Sequence, residues 1–327
     1  MIITIFVLWE LRLLRMTRLI DIHTHLGDLL YEQGGNLIEK RNVRKRIGFD
    51  YLSLMERFLW PNNRPFRAMF RILGWERINR LVIKAGLARN ATATRENLRR
   101  EMDKFDVSYS VTMPVYPHVT FAHLHSAFEK DNSILPFTGI DYENFENTEE
   151  KLRNDVDAGA KGLKLHPILQ RIAANSVETK TAVETFAPYQ LPILMHSGVA
   201  NYYLKAEEQK LEIPEFGAIS QCAELIQAFP QLKFIVGHAG LEQYHEVIGR
   251  LGKNKNVWVD ISFQPPYAIR TLIDAFGVER VLYASDWPWG NMATPIQAVK
   301  VACNGDKKME RRLFFENAAE LLDLSTD

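Results

Sequence analysis

Residues 19–25 read Leu-Ile-Asp-Ile-His-Thr-His, and the fold turns on what this stretch is. Leu19 to Ile22 is a short apolar run of the kind that forms a buried strand, and His23 and His25 stand where it ends. Side chains at i and i+2 of a strand share a face, so the two imidazoles can aim at one point, as a metal ion needs. Two polar residues closing a strand would read the same way. The pair alone does not decide between these readings, and the rest of the chain must.

Working outward, a rhythm starts after residue 95. Apolar runs at 107–114, 134–141, 162–166, 192–196, 233–238, 257–262 and 281–285 read as strands. Between them lie helical stretches at 94–105, 121–130, 148–158, 177–188, 214–229, 241–251 and 266–276, with closing helices at 293–301 and 307–322. Thr148 reads as a helix cap and Gly159 as a stop. Runs such as Phe234-Ile235-Val236 and Val281-Leu282-Tyr283 are continuously apolar, as suits a parallel sheet buried on both faces. With the first strand, that makes eight strands alternating with helices, the pattern of a TIM (β/α)8 barrel. A doubly wound open sheet is the alternative, and the regular eight favour closure.

The strand ends are chemically selective. The first carries His23 and His25. The fourth reads Gly162-Leu-Lys164-Leu-His166-Pro167, the fifth ends at His196, the sixth at His238 and the eighth at Asp286. In a barrel all these ends meet at one mouth, where active sites are built. Five of the nine histidines, a lysine and an aspartate would converge there. His123 and His125 also read HxH, but within a helical stretch, where residues two apart do not face each other. That pair reads as surface, and His245 as an ordinary helical residue. His118 follows the second strand closely enough to reach the mouth.

Composition removes other classes. Lys+Arg and Asp+Glu are both 40, so nothing global points to nucleic acid. Neither GxGxxG after a strand nor GxxxxGK[ST] occurs, so no nucleotide-cradling loop is indicated. Cys222 and Cys303 are too few for a disulfide framework and fit a reducing, cytoplasmic setting. No window approaches a membrane span, so stable membrane insertion is not expected. Residues 1–15 place their apolar run before their basic residues, the wrong order for a signal peptide, and read as a loosely attached extension ahead of Met16. Residues 16–327 then form one barrel domain with an insertion at about 28–94.

That insertion is rich in basic residues, among them Lys40, Arg41, Arg44, Arg64, Arg67, Arg71, Arg77 and Arg80. Apolar residues at helical spacing, including Phe66, Met69, Phe70, Leu73, Ile78, Leu81 and Val82, predict several helices with a break at Pro61 to Pro65. A solvated helical insertion packed on the barrel flank, or at a homodimer contact, is the plainer reading. A cationic lid for an anionic small-molecule substrate is the sharper one.

Taken together, "DIHTHLGD", "GLKLHP", "LMHSG", "VGHAG" and "ASDWPW", with the closing "NAAELLDL", resemble the amidohydrolase superfamily in its amidohydrolase-2 branch. That branch includes aminocarboxymuconate semialdehyde decarboxylase-like enzymes. The resemblance covers roughly residues 17–25 and 95–325, and the insertion matches none of its motifs. It implies that His23, His25, His196 and Asp286 bind a divalent metal, zinc by preference, with one ion tightly held and a second left open. Lys164, His166, His238 and Trp287 become second-metal or substrate-binding candidates, and Lys164 falls where some relatives carry a carboxylated lysine.

The activity expected first is hydrolysis of an amide, lactone or ester by metal-activated water, with Asp286 as general acid/base and His238 steadying charge on the carbonyl. The alternative is non-oxidative decarboxylation of an aromatic or unsaturated acid. A barrel that has lost catalysis is a third reading, against which the full donor set argues. A TatD-type phosphoesterase is disfavoured because the glutamate expected after the fourth strand is absent. Trp287, Trp289 and Tyr283 are expected to wall the pocket.

Overall fold

The computed structural model describes residues 18–44 and 74–325. Nine short strands run β1 (Leu19–Thr24), β2 (Val107–Thr112), β3 (Ile134–Pro136), β4 (Thr138–Gly139), β5 (Leu163–Leu165), β6 (Ile193–Met195), β7 (Phe234–Val236), β8 (Val257–Asp260) and β9 (Val281–Leu282). All pair in parallel, in the orders β1-β2-β3 and β4 through β9.

The strand expected at 134–141 is thus two pieces. Phe137 is where the neighbours change: its N–H still donates to the Thr112 carbonyl on the β2 side (3.0 Å), while Thr138 N donates to Gly162 O on the β5 side (2.8 Å). Counted as one interrupted strand, β3 and β4 restore the eight positions of a TIM barrel. Closure is made at the other seam. Ile22 N donates to Tyr283 O (3.2 Å), Asp286 N to His23 O (2.9 Å) and His25 N to Trp287 O (2.7 Å), so the first strand lies beside the last. Asp21, buried at the centre of that seam, accepts from Ser285 N (3.0 Å) and Ser285 Oγ (2.5 Å).

Helices fill the crossovers: α1 (Trp75–Asn90), α2 (Arg95–Phe105), α3 (Phe121–Lys130), α4 (Thr148–Asp157), α5 (Val177–Phe186), α6 (Ile219–Ala228), α7 (Tyr244–Leu251), α8 (Pro266–Phe276) and α9 (Ala293–Cys303). A last helical run, 307–322, passes through a π-helical stretch at Arg312–Glu316. Amphipathic spacing and caps explain the boundaries. Thr94 accepts from Asn97 N at the start of α2, and Ser176 from Thr179 N at the start of α5.

Three expected boundaries differ. Thr148 is the first residue of α4 and not its cap, because a 3-10 segment, Tyr142–Asn147, runs directly into it. The helix expected from Leu241 begins at Tyr244, since His238 through Leu241 all take positive φ. The helix expected from Pro214 breaks at Ala218, where Gly217 gives its carbonyl to Gly198 N (2.8 Å).

The main apolar core lies between strands and helices and includes Leu163, Leu165, Ile193, Phe234, Val257 and Val281. A second cluster joins Ile20, Ile22, Phe137, Leu194 and Ile235 to Phe315, Ala318 and Leu322 of the last helical run. Each such side chain contributes about 1.5–3 kcal/mol on burial. Of the insertion, the described part holds a 3-10 turn, Gly34–Leu37, and α1, which carries Ile78, Leu81 and Val82. The helices expected around Phe66 to Leu73 and the break at Pro61 to Pro65 lie outside the described residues, as does the extension at 1–15. No helix among the described residues is long and apolar enough to cross a membrane, and both cysteines are free and buried.

Candidate metal centre

The strand ends converge as a barrel requires. His23 and His25 leave β1 toward Asp286, whose Oδ1 lies 3.6 Å from His23 Nε2 and 3.3 Å from His25 Nε2. These three side chains form one group with ligand atoms within 4.8 Å of one another. His238 stacks on His23 at 4.9 Å, His196 meets His238 edge-on at 4.9 Å, and His166 stacks on His196 at 4.4 Å. His196 adjoins the triad of His23, His25 and Asp286 without being part of it, and places its Nδ1 3.1 Å from His238 Nε2.

The partner on the far side of each ring fixes which nitrogen faces inward. His23 Nδ1 donates to Asp260 Oδ2 (2.9 Å) and His25 Nδ1 to the Met113 carbonyl (3.1 Å). His196 Nε2 donates to the Gly198 carbonyl (3.2 Å). His238 Nδ1 donates to Ser262 Oγ (2.6 Å), whose own proton goes to Asp260 Oδ1 (2.5 Å). Four lone pairs are thereby left pointing inward: Nε2 of His23, His25 and His238, and Nδ1 of His196. The remaining donor is Asp286 Oδ1, which is buried with no hydrogen-bond partner among the described residues. A buried carboxylate oxygen facing imidazole lone pairs is costly unless a cation lies between them. This donor set fits a divalent ion. His23, His238 and Asp260 also cluster closely, but there Asp260 serves His23 Nδ1 and Ser262, an outer partner that orients a ligand.

Electrostatics agree. Burial, reinforced by the Lys164 charge, pushes His25 and His196 down to about 3, and burial lowers His23, His166 and His238 as well, which favours the neutral ring in all five. Burial holds the Asp286 carboxyl well above the usual carboxylate range. Lys164, fully buried, is pushed down to about 7 by desolvation, and its Nζ lies 2.8 Å from His23 Nε2.

Several sequence expectations need correcting. Tyr283 does not wall the site; it is core, with its hydroxyl on the Met292 carbonyl (3.1 Å) and its ring against Phe314. Trp287 lines a cavity of about 480 Å³ together with Arg44, Arg89, Arg100 and Lys104. Arg89, buried on α1, donates to the Trp289 carbonyl (2.5 Å). His123 is not plain surface: its Nδ1 accepts from Thr120 N (3.1 Å) and closes the first turn of α3. His125 rests between Phe121 and Phe128, and His245 against Tyr244. His118 belongs to neither ligand group.

Three residues escaped the sequence reading. Asp260 ends β8, and the strand-end logic applied elsewhere would have found it. Asp21 stood inside the opening stretch itself. Tyr202 lies on an irregular segment, and no motif marked it. Its ring meets Trp289 at 5.3 Å and 87°, so the two aromatics roof the donor ring.

The amidohydrolase family model matches residues 20–324, so the chain belongs to that family. No curated protein matches the sequence. Among solved structures, 5-carboxyvanillate decarboxylase from Novosphingobium aromaticivorans, complexed with manganese and 4-hydroxy-3-methoxy-5-nitrobenzoic acid, is 15% identical, with TM-score 0.62 over 94% of this chain and 96% of that one. 2,6-Dihydroxybenzoate decarboxylase from Rhizobium is 12% identical, with TM-score 0.60 over 94% and 99%. A probable 2-pyrone-4,6-dicarboxylic acid hydrolase from Acinetobacter baumannii is 13% identical, with TM-score 0.57 over 94% and 100%. At these identities the likeness establishes the barrel.

Proposed function

Taking membership of the amidohydrolase family as the premise, we propose that this chain is a divalent-metal-dependent decarboxylase acting on a small aromatic or unsaturated carboxylic acid. The observation that carries the reading is the ring of inward lone pairs around the unpartnered Asp286 Oδ1, roofed by Tyr202 and Trp289. His23, His25 and Asp286 would hold the ion, with His196 Nδ1 the next donor. Two fold relatives that decarboxylate aromatic acids support this reading over the hydrolysis expected first. Manganese suits a mixed nitrogen and oxygen donor set as well as zinc does.

Bound there, the cation would supply Lewis-acid charge for a substrate oxygen. The chain's own residues supply the rest. As the bond to the carboxyl carbon breaks, its electron pair stays on the substrate carbon and carbon dioxide leaves. Asp286 returns a proton to that carbon, and a proton from solvent restores it. Lys164 places positive charge where the substrate anion is drawn in.

Hydrolysis of a lactone is the second reading, kept for the likeness to the pyrone hydrolase. Incubation of manganese- or zinc-loaded protein with hydroxybenzoic acids and with 2-pyrone lactones separates the two. Carbon dioxide release supports decarboxylation. Ring opening without carbon dioxide would replace it with hydrolysis.

A further inference from the structure

The Tyr202 hydroxyl reaches two histidines, His166 Nε2 at 3.3 Å and His196 Nδ1 at 3.4 Å. The direction of each bond follows from the far side of each ring. Leu169 N donates to His166 Nδ1 (3.3 Å), so the His166 proton sits on Nε2 and is donated to the phenol oxygen. The Gly198 carbonyl takes the His196 Nε2 proton, so the phenol proton points at the bare Nδ1. The result is a one-way chain from Leu169 N through His166, Tyr202 and His196 to Gly198 O. His238 Nε2, another bare lone pair, faces the same Nδ1 at 3.1 Å.

We propose that Tyr202 is a removable stopper on the metal position. Its hydroxyl and the cation compete for the His196 Nδ1 lone pair, and when the cation takes it the phenol is released to donate to an anionic oxygen of the substrate. This rests on the metal reading above. One lone pair cannot serve both partners. The segment is built to let the ring move while its backbone stays. Tyr202 N is held by Glu212 Oε2 (2.7 Å), and the neighbouring Tyr203 hydroxyl is tied to the Leu30 carbonyl (2.9 Å). Tyr203 is buried, whereas Tyr202 is half-buried, with part of its side chain toward solvent. A neutral O–H among aromatic walls suits a carboxylate or phenolate oxygen, since a bond to an ionised acceptor is the stronger kind.

The test uses full-length wild type, Tyr202→Phe and Tyr203→Phe, stripped of metal and titrated with Mn2+ against a chromophoric chelator. Tyr202→Phe should bind the ion roughly two- to tenfold more tightly than wild type, the worth of one neutral hydrogen bond, and Tyr203→Phe should match wild type. Metal addition should also give a tyrosine difference absorbance in wild type that Tyr202→Phe lacks. Equal affinity of Tyr202→Phe and wild type, or an equal gain in both variants, overturns the stopper. In metal-loaded protein, 2,6-dihydroxybenzoate binding, read by tryptophan quenching, should weaken about tenfold in Tyr202→Phe, and unchanged binding overturns the substrate-facing role. Wild type that takes up no metal at all defeats the metal reading itself.

Discussion

Replacing Asp260 with asparagine tests the claim that the tautomers around the candidate centre are set from outside it. Asp260 Oδ2 takes the His23 Nδ1 proton at 2.9 Å, while Oδ1 takes protons from Ser262 Oγ (2.5 Å) and Ser262 N (3.1 Å). An asparagine offers one oxygen and one NH2 in place of two oxygens, so one of these donors meets another donor. If the NH2 faces His23, the ring must accept at Nδ1, and its proton moves to Nε2, where an ion needs a lone pair. Loss of an outer partner of this kind lowers metal affinity about 10- to 100-fold, or about 1.4–2.8 kcal/mol at 1.4 kcal/mol per tenfold. If the NH2 faces Ser262 instead, the hydroxyl loses its acceptor, and His238 loses its fixed partner with it. Chelator competition with Mn2+ and Zn2+ reads the affinity, and circular dichroism confirms that the variant is folded. A folded Asp260→Asn protein with wild-type affinity would refute the reasoning, because His23 would then be oriented without it.

Further outcomes follow from the same geometry. Asp286→Asn should abolish metal uptake and lower turnover more than 100-fold, yet the thermal midpoint of metal-stripped protein should not fall, because a costly buried carboxyl has been removed; a large drop in midpoint would contradict this. His196 is pushed down to about 3 in the folded chain against about 6.5 unfolded, so the unfolded state binds the extra proton and stability is lost as pH falls below 6.5. Metal-stripped His196→Asn should therefore gain about 1 kcal/mol relative to wild type between pH 6.5 and 5.5, measured by urea unfolding, and a pH-independent difference would show the ring is not held neutral. Gly198 sits at φ 96°, where a Cβ would meet the Gly240 carbonyl oxygen at 2.7 Å; Gly198→Ala should cost about 1–2 kcal/mol in the same unfolding assay, and no loss would mean that this turn relaxes freely.

The barrel was legible because its signal is local and repeated. Each strand is a short apolar run with a polar residue at its end, and both features survive in one dimension. The interruption at Phe137 was not legible, since nothing in Ile134 to Asp141 says that the strand will pair with β2 before this residue and with β5 after it. The start of α7 was missed for a similar reason. His238, Ala239 and Leu241 take positive φ although glycine alone among these four loop residues favours it, so tertiary contacts override local preference. Candidate donors were found where they sat at strand ends in phase with the barrel. Tyr202 was hidden because its position depends on how an irregular segment folds back, and spacing does not encode that.

The seam between β1 and β9 has a consequence for biosynthesis. Asp21 finds its hydrogen-bond donors on Ser285, and His23 and His25 find their carboxylate on Asp286, more than 260 positions later in the chain. A ribosome that has reached residue 250 has therefore made two imidazoles whose acidic companions, Asp260 and Asp286, are still to come. Only once the last strand has emerged can the earliest residues acquire their neighbours, so the ion would be taken up after translation is nearly finished, and fragments cut short before residue 286 would be unable to retain it.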